Sequence, residues 1–137
     1  MGTRAKRFEY AVSVDPDGRA VAEGGAPLVV PEEWTPEHLV LAALVRCTLK
    51  SLAYHARRAG ISVSAGGTAT GAVTRREADG RYALVEAECS LDVTLDPLPG
   101  HADVAELLAK AARDCFVGAS LRAEPRYEWR VNGRLAR

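Results

Sequence analysis

The chain has 137 residues with 18 Lys or Arg and 18 Asp or Glu, so its formal net charge is zero. This length predicts a single domain over residues 1–137, and the balanced charge gives no indication of nucleic acid or an anionic membrane as a partner. No window is expected to reach transmembrane length, so we expect a cytoplasmic protein. Its 3 cysteines, an odd number, indicate free thiols or redox chemistry and not a disulfide framework.

The N-terminal part predicts a small hairpin and a third short strand. Apolar and polar residues alternate over residues 8–14, and Asp17-Gly18 supplies a turn before a second strand over residues 19–23. Residues 28–30 predict the third strand.

The segment PEHLVLAALVRCTLKSLAYHARRAG, residues 36–60, predicts the longest helix. Thr35 is a suitable N-cap for this helix, Pro36 is suited to its first position, and Gly60 is suited to end it. Residues 39–45 are all apolar, and a helix that is apolar nearly all round is surrounded by protein. Because one small chain can hardly cover it on every side, we expect an intertwined homodimer with this helix buried.

The middle of the chain predicts a hairpin of two long strands. Apolar residues occupy odd positions over residues 63–73 and 85–95, whereas polar residues occupy the even ones. For the apolar faces to lie on one side, odd residues must pair with odd ones, and a three-residue loop, Ala78-Asp79-Gly80 with Gly80 left-handed, satisfies this.

The C-terminal part predicts a second helix over residues 101–115 and a last strand over residues 126–131, with Tyr127, Trp129 and Val131 facing inward. The element order predicts an α+β fold in which antiparallel sheets pack on two helices.

The cysteines are the candidates for chemistry. Cys47 lies in the long helix, Cys115 at the end of the second helix, and Cys89 on the apolar face of a strand. Free cysteine is often a buried core residue, and the alternation of apolar and polar residues in the strand is enough to explain the position of Cys89. A buried thiol needs a nearby cation or donor to react, and the helix of Cys47 offers only Lys50 at i+3. The activating group for Cys47 is therefore expected from elsewhere.

The segment PEHLVLAALVRC, residues 36–47, followed far downstream by a helix ending in Cys115, resembles the OsmC/Ohr family of organic hydroperoxide reductases. The resemblance extends in element order over almost the whole chain. It implies an OsmC-like fold in a domain-swapped homodimer, and a cysteine-based, peroxiredoxin-like peroxidase that needs no cofactor. Cys47 would attack an organic hydroperoxide and become a sulfenic acid, and Cys115 would condense with it to a disulfide. An external dithiol, such as a lipoylated protein, would then reduce the disulfide.

The resemblance also implies two supporting residues. Glu37 matches the family's glutamate, which holds a catalytic arginine near the thiolate. Ten helical residues rise about 15 Å, so Glu37 cannot reach Cys47 of its own straight helix, and a carboxylate that complements the helix dipole is the alternative explanation. The family's hairpin turn reads GRDGR, whereas this chain has DPDGR, with Pro16 at the catalytic arginine. Arg19, at the second arginine, is the candidate, and a solvated turn arginine is the alternative.

Two functional hypotheses follow. The first is the peroxidase, with Cys47, Cys115, Glu37 and Arg19 as its site. The second is a dimeric module, without efficient catalysis, that binds a small apolar or acyl ligand; the missing arginine, and Phe116 in place of the family's proline after the second cysteine, would permit it. The three histidines are expected at the surface, and their spacing does not favour a zinc site.

Overall fold

The computed structural model describes residues 5–136, which divide into two compact units, the first ending at Thr35 and the second beginning at Pro36. In the first unit, β1 (Val12–Val14), β2 (Arg19–Ala22) and β3 (Leu28–Val29) form an antiparallel sheet in that order. Gly18, in the turn between β1 and β2, has a φ of +85°, which glycine adopts readily. The predicted hairpin and third strand are confirmed, although the first strand begins at Val12 and not at Phe8.

The second unit contains three helices and a four-stranded sheet. Its elements are α1 (Pro36–Arg58), β4 (Ser62–Arg75), β5 (Tyr82–Asp96), α2 (His101–Arg113), α3 (Phe116–Ser120), β6 (Arg126–Val131) and β7 (Arg134–Leu135). The sheet has the order β4-β5-β6-β7. This confirms the predicted α+β fold and the position of the long helix.

Two expectations about the sheet are wrong. Strands β5 and β6 pair in parallel, with Cys89 opposite Tyr127, whereas a wholly antiparallel sheet was expected. A parallel pair requires a crossover connection, and α2 and α3 supply it here. In addition, β6 is not the last strand of the chain, because the turn at Asn132 and Gly133 leads into β7, which pairs antiparallel with β6.

The long hairpin follows the predicted pairing but not the predicted loop. Odd residues face odd residues from Val63 opposite Leu95 to Gly71 opposite Ala87. Beyond Ala72 the register shifts by one residue, and this bulge changes the parity, so that the loop spans residues 76–81 instead of the three expected. Within the loop, Asp79 forms an ion pair with Arg76 and accepts a hydrogen bond from the backbone N–H of Arg81 at 3.1 Å.

The core lies between the helices and one face of the sheet. Helix α1 buries a stripe at four-residue spacing, and the odd residues of β5 form the opposite wall: Leu44, Thr48, Leu52 and Ala56 on the helix, and Ala87, Cys89, Leu91, Val93 and Leu95 on the strand. Within residues 5–136, other parts of α1 stay open, since Leu39 and Val40 remain 39% and 38% exposed.

Helix α1 is also long and apolar enough, by length and composition alone, to cross a membrane, contrary to the expectation that no segment approaches that length. The core helix of a soluble protein has the same properties. In this structure Leu44 and Leu52 are fully buried against the chain's own sheet and helices, so one face of α1 packs in the core.

Candidate functional site

Helix α1 and the short helix α3 bring Cys47 and Cys115 together. Cys47 lies near the middle of α1 and is partly exposed, whereas Cys115 is fully buried. The second helix was expected to end at Cys115, but α2 ends at Arg113, and Cys115 is the N-cap of α3, a helix that the sequence did not predict. Its five residues, FVGAS, are too few to show a helical period. The cap places the Cys115 sulfur beside α1.

The surroundings of Cys47 combine opposing influences on its thiol. Burial raises the pKa of Cys47, the backbone N–H of Val117 lowers it, and the nearby Cys115 thiol raises it again. The net direction is upward, and the largest influences include no cation. Lys50, the one cation expected on the same helix, is exposed. In the second unit, the backbone N–H groups at the start of α3 favour the Cys47 thiolate, but burial outweighs them.

Cys115 lies among hydrogen-bond donors. Its Sγ accepts from Thr48 Oγ1 at 3.3 Å and from the backbone N–H of Gly118 at 3.4 Å. Thr48 also donates to the Leu44 carbonyl at 2.8 Å. Within residues 5–136, Thr48 is the one polar residue that is buried, with no exposed surface at all. Thr48 was not predicted from the sequence, although a signal was present, because it is a hydroxyl residue within the apolar stripe of α1.

Tyr127 and Cys89 complete the surroundings of Cys115. A methyl group at Gly118 would stand 3.0 Å from the Tyr127 hydroxyl, so this hydroxyl lies directly against α3. Burial raises the pKa of Tyr127 to about 12, while the Thr48 hydroxyl lowers it and the charge of Cys115 raises it. Burial, followed by the charge of Cys115, also raises the pKa of Cys89 to about 11. All three thiols therefore share one region of the core.

Glu37 and Arg19 were the other predicted site residues. Glu37 is exposed in the first turn of α1, ahead of Cys47 on the same helix. Arg19 belongs to the first unit, where its backbone N–H donates to Asp15 Oδ1 at 2.9 Å and its side chain is exposed. Their roles at the Cys47 thiol stay predictions. Phe116 is 69% exposed and lines neither of the two cavities described for the second unit.

The histidines do not form a metal site in the described part of the chain, where no group of three or more His, Cys, Asp or Glu side chains could hold an ion. His55 was expected at the surface, but its side chain is only 15% exposed and its Nε2 lies 2.7 Å from Asp114 Oδ2. This pair joins α1 to the end of α2, next to Cys115.

A groove of about 540 Å³ opens between α2 and the strands β6 and β7. Its lining is mainly apolar, with Val104, Leu108 and Trp129 on its walls and Arg134 at its edge. None of the three cysteines lines it. The groove is therefore a separate feature from the cysteine region.

The profile of the OsmC-like protein family matches residues 30–130, a range that includes Glu37, Cys47 and Cys115 but not Arg19. No curated protein matches the chain in sequence at a significant level.

Solved structures share the fold at low identity. An OsmC-like protein of unknown function from Vibrio cholerae is 18% identical, with a TM-score of 0.76 over 90% of this chain and 99% of that one. The organic hydroperoxide resistance protein OhrB of Bacillus subtilis is 19% identical, with a TM-score of 0.56 over 91% and 98%. An organic hydroperoxide resistance protein from Elizabethkingia anophelis, with thiocyanate bound, is 18% identical, with a TM-score of 0.62 over 93% and 98%. Since the family profile spans most of the chain and the fold agrees with these structures, the chain belongs to the OsmC-like protein family.

Proposed function

We propose that the protein is a thiol-dependent peroxidase that reduces organic hydroperoxides to alcohols. The observation that supports this proposal best is the placement of two sulfurs from distant parts of the chain against each other, one partly exposed and the other buried. The exposed sulfur, Cys47, can meet a substrate. The buried one, Cys115, meets Cys47.

The reaction takes place in three steps. The Cys47 thiolate attacks one oxygen of the peroxide, the O–O bond breaks, and the alkoxide takes a proton to leave as an alcohol, which gives a Cys47 sulfenic acid. The Cys115 sulfur then attacks the Cys47 sulfur, and water leaves as the disulfide forms. An external dithiol, such as a lipoyl group on another protein, returns two electrons and becomes a cyclic disulfide itself. The apolar surroundings favour bulky organic peroxides over hydrogen peroxide.

A second copy of the chain completes the site in this proposal. Within one chain, the Cys47 pKa is raised and α1 leaves Leu39 and Val40 exposed, so both the activating charge and the cover for the helix come from elsewhere. We assign the charge to Arg19, held by Glu37, as the family resemblance implies. Sedimentation should show a dimer, and Arg19→Ala should raise the pKa of Cys47 and slow the peroxide step.

Thiol counting with cumene hydroperoxide tests the peroxidase. The unmodified chain should lose two free thiols per chain after one equivalent of peroxide, and mass spectrometry should find a Cys47–Cys115 bond. Cys47→Ser should lose none, whereas Cys115→Ser should accumulate a sulfenic acid at Cys47. Cys89→Ala is the matched control, because it removes a cysteine of the same region and should still form the bond. Full turnover in Cys47→Ser would refute the proposal.

A second candidate is a dimeric binding module for a small apolar or acyl ligand. The raised pKa of Cys47 favours it, since a protonated thiol does not attack peroxides. Such a module would keep all three thiols after the peroxide treatment. The free state of the three cysteines suits the cytoplasm, where we place the protein under either proposal.

A further inference from the structure

The two sulfurs of the proposed disulfide differ in access. Cys115 has no exposed surface, whereas Cys47 is partly exposed. A dithiol that approaches from solvent therefore meets the Cys47 sulfur, and the Cys115 sulfur must leave as a thiolate inside the protein. This step rests on the proposed peroxidase function. It raises the question of what stabilises a negative sulfur in that position.

The hydrogen-bond donors around Cys115 are placed to stabilise a thiolate. Thr48 has one hydroxyl proton, and it faces the Leu44 carbonyl at 2.8 Å, the Cys115 sulfur at 3.3 Å and the Tyr127 oxygen. While Cys115 is a neutral thiol, the shorter bond to the carbonyl holds the proton. A charged sulfur is the stronger acceptor, so the hydroxyl turns toward it when the thiolate forms. Thr48 thus stabilises the thiolate more than the thiol.

Two further donors act beside Thr48. The backbone N–H of Gly118 points at the Cys115 sulfur at 3.4 Å and is fixed there by the first turn of α3. The Tyr127 hydroxyl lies against Gly118, and its pKa of about 12 means that it keeps its proton at neutral pH and remains a donor. We call Thr48, Gly118 and Tyr127 the donor cluster.

We propose that the donor cluster stabilises Cys115 as the leaving thiolate when a dithiol reduces the Cys47–Cys115 bond, and that it thereby directs the reductant to the Cys47 sulfur. One thiolate of the reductant attacks Cys47 Sγ, the S–S bond breaks, and its electron pair passes to Cys115 Sγ. The second thiol of the reductant then attacks the mixed disulfide, which frees Cys47 and the oxidised dithiol. Cys115 finally takes up a proton.

Titration of Cys115 tests the cluster without any peroxide. In a Cys47→Ser, Cys89→Ala background, Cys115 is the one remaining thiol, and its thiolate absorbs near 240 nm. Adding Thr48→Val, which keeps the shape but removes the hydroxyl, should raise the pKa of Cys115 by about one unit. Tyr127→Phe should shift it in the same direction, and Thr48→Ser should restore it. Ser51→Ala removes another buried hydroxyl from α1 and should leave the pKa unchanged.

The rate of disulfide reduction tests the consequence. In a chain that keeps Cys47 and Cys115, diamide first forms the disulfide between them. Thr48→Val should then slow the reduction of this disulfide by dithiothreitol on the order of threefold, because a more basic thiolate leaves more slowly. A monothiol reagent should be captured on Cys47 alone. Capture on Cys115, or an unchanged pKa of Cys115 in both Thr48→Val and Tyr127→Phe, would overturn the inference. The titration does not depend on peroxidase activity, so an inactive enzyme with a shifted Cys115 pKa would refute the proposed function and not the donor cluster.

Discussion

Two neighbouring glycines of β4 should respond in opposite ways to the same substitution. At Gly67, an added Cβ would stand 2.6 Å from the Ser90 carbonyl oxygen and 2.7 Å from Leu91 Cδ2, both on the paired strand β5. These distances are far shorter than van der Waals contact, and the oxygen belongs to backbone that the sheet holds in place. At Gly66, an added Cβ meets no heavy atom within 4 Å.

The magnitudes follow from these distances. Gly67→Ala forces β4 and β5 apart, and overpacking of this kind destabilises a protein by about 1–3 kcal/mol. Gly66→Ala restricts the unfolded chain without a clash and stabilises by up to about 1 kcal/mol. The difference in unfolding free energy between the two variants should therefore be about 1–4 kcal/mol.

Urea denaturation followed by circular dichroism measures this difference. The protein concentration must be the same for both variants, because the stability of an oligomer depends on it. Equal stabilities, within about 0.5 kcal/mol, would refute the packing of β4 against β5 at Gly67.

Three further predictions concern other parts of the second unit. Asn132→Ala should lower the unfolding free energy by about 1–3 kcal/mol, because the Asn132 side chain accepts a hydrogen bond from the N–H of Leu95 at 2.8 Å and donates to the carbonyl of the same residue at 3.1 Å. Thermal unfolding measures this loss, and an unchanged stability would contradict the two hydrogen bonds. Ser51→Ala should raise the melting temperature, because its buried Oγ has no hydrogen-bond partner within residues 5–136; a clear decrease would mean that the hydroxyl is bound in the assembled protein. Arg113, followed by His55, holds the pKa of Asp114 below its usual range. The charged Asp114 therefore stabilises the fold above about pH 4, and this contribution is lost as the pH falls through the lowered pKa. Asp114→Asn should melt at a lower temperature than the unmodified chain at pH 7, and the difference between the two melting temperatures should narrow toward pH 3.

The elements that could be predicted are those whose residues repeat with a clear period. Helix α1 has an apolar stripe, a proline at its start and Gly60 after its end, and the structure begins it at Pro36 and ends it at Arg58. The odd residues of β5 face the core as expected. Alternation says nothing about strand direction, so the parallel pairing of β6 could not be seen. A bulge leaves no mark on composition, which explains the wrong loop length after Ala72.

The site was predictable only in part, and for a different reason. Cys47 and Cys115 came from the resemblance to a family, and the structure places them together. Thr48 was missed because threonine is ordinary in a helix until its hydroxyl is known to face a sulfur. Tyr127 was expected to face inward, but its neighbours depend on the register of β6 against β5, which the sequence pattern does not fix.

That register makes the length of one connection matter to the chemistry. Residues 121–125 join α3 to β6, and they determine that Tyr127 stands opposite Cys89. A single residue inserted there, with the ladder shifting to absorb it, would turn Tyr127 outward and bring Arg126 or Glu128 to the inner face. A neutral environment for the thiols would then acquire a full charge, although no residue of the site had been replaced. Variation in the number of residues in this segment, more than in their identity, is what the cysteine site could not tolerate.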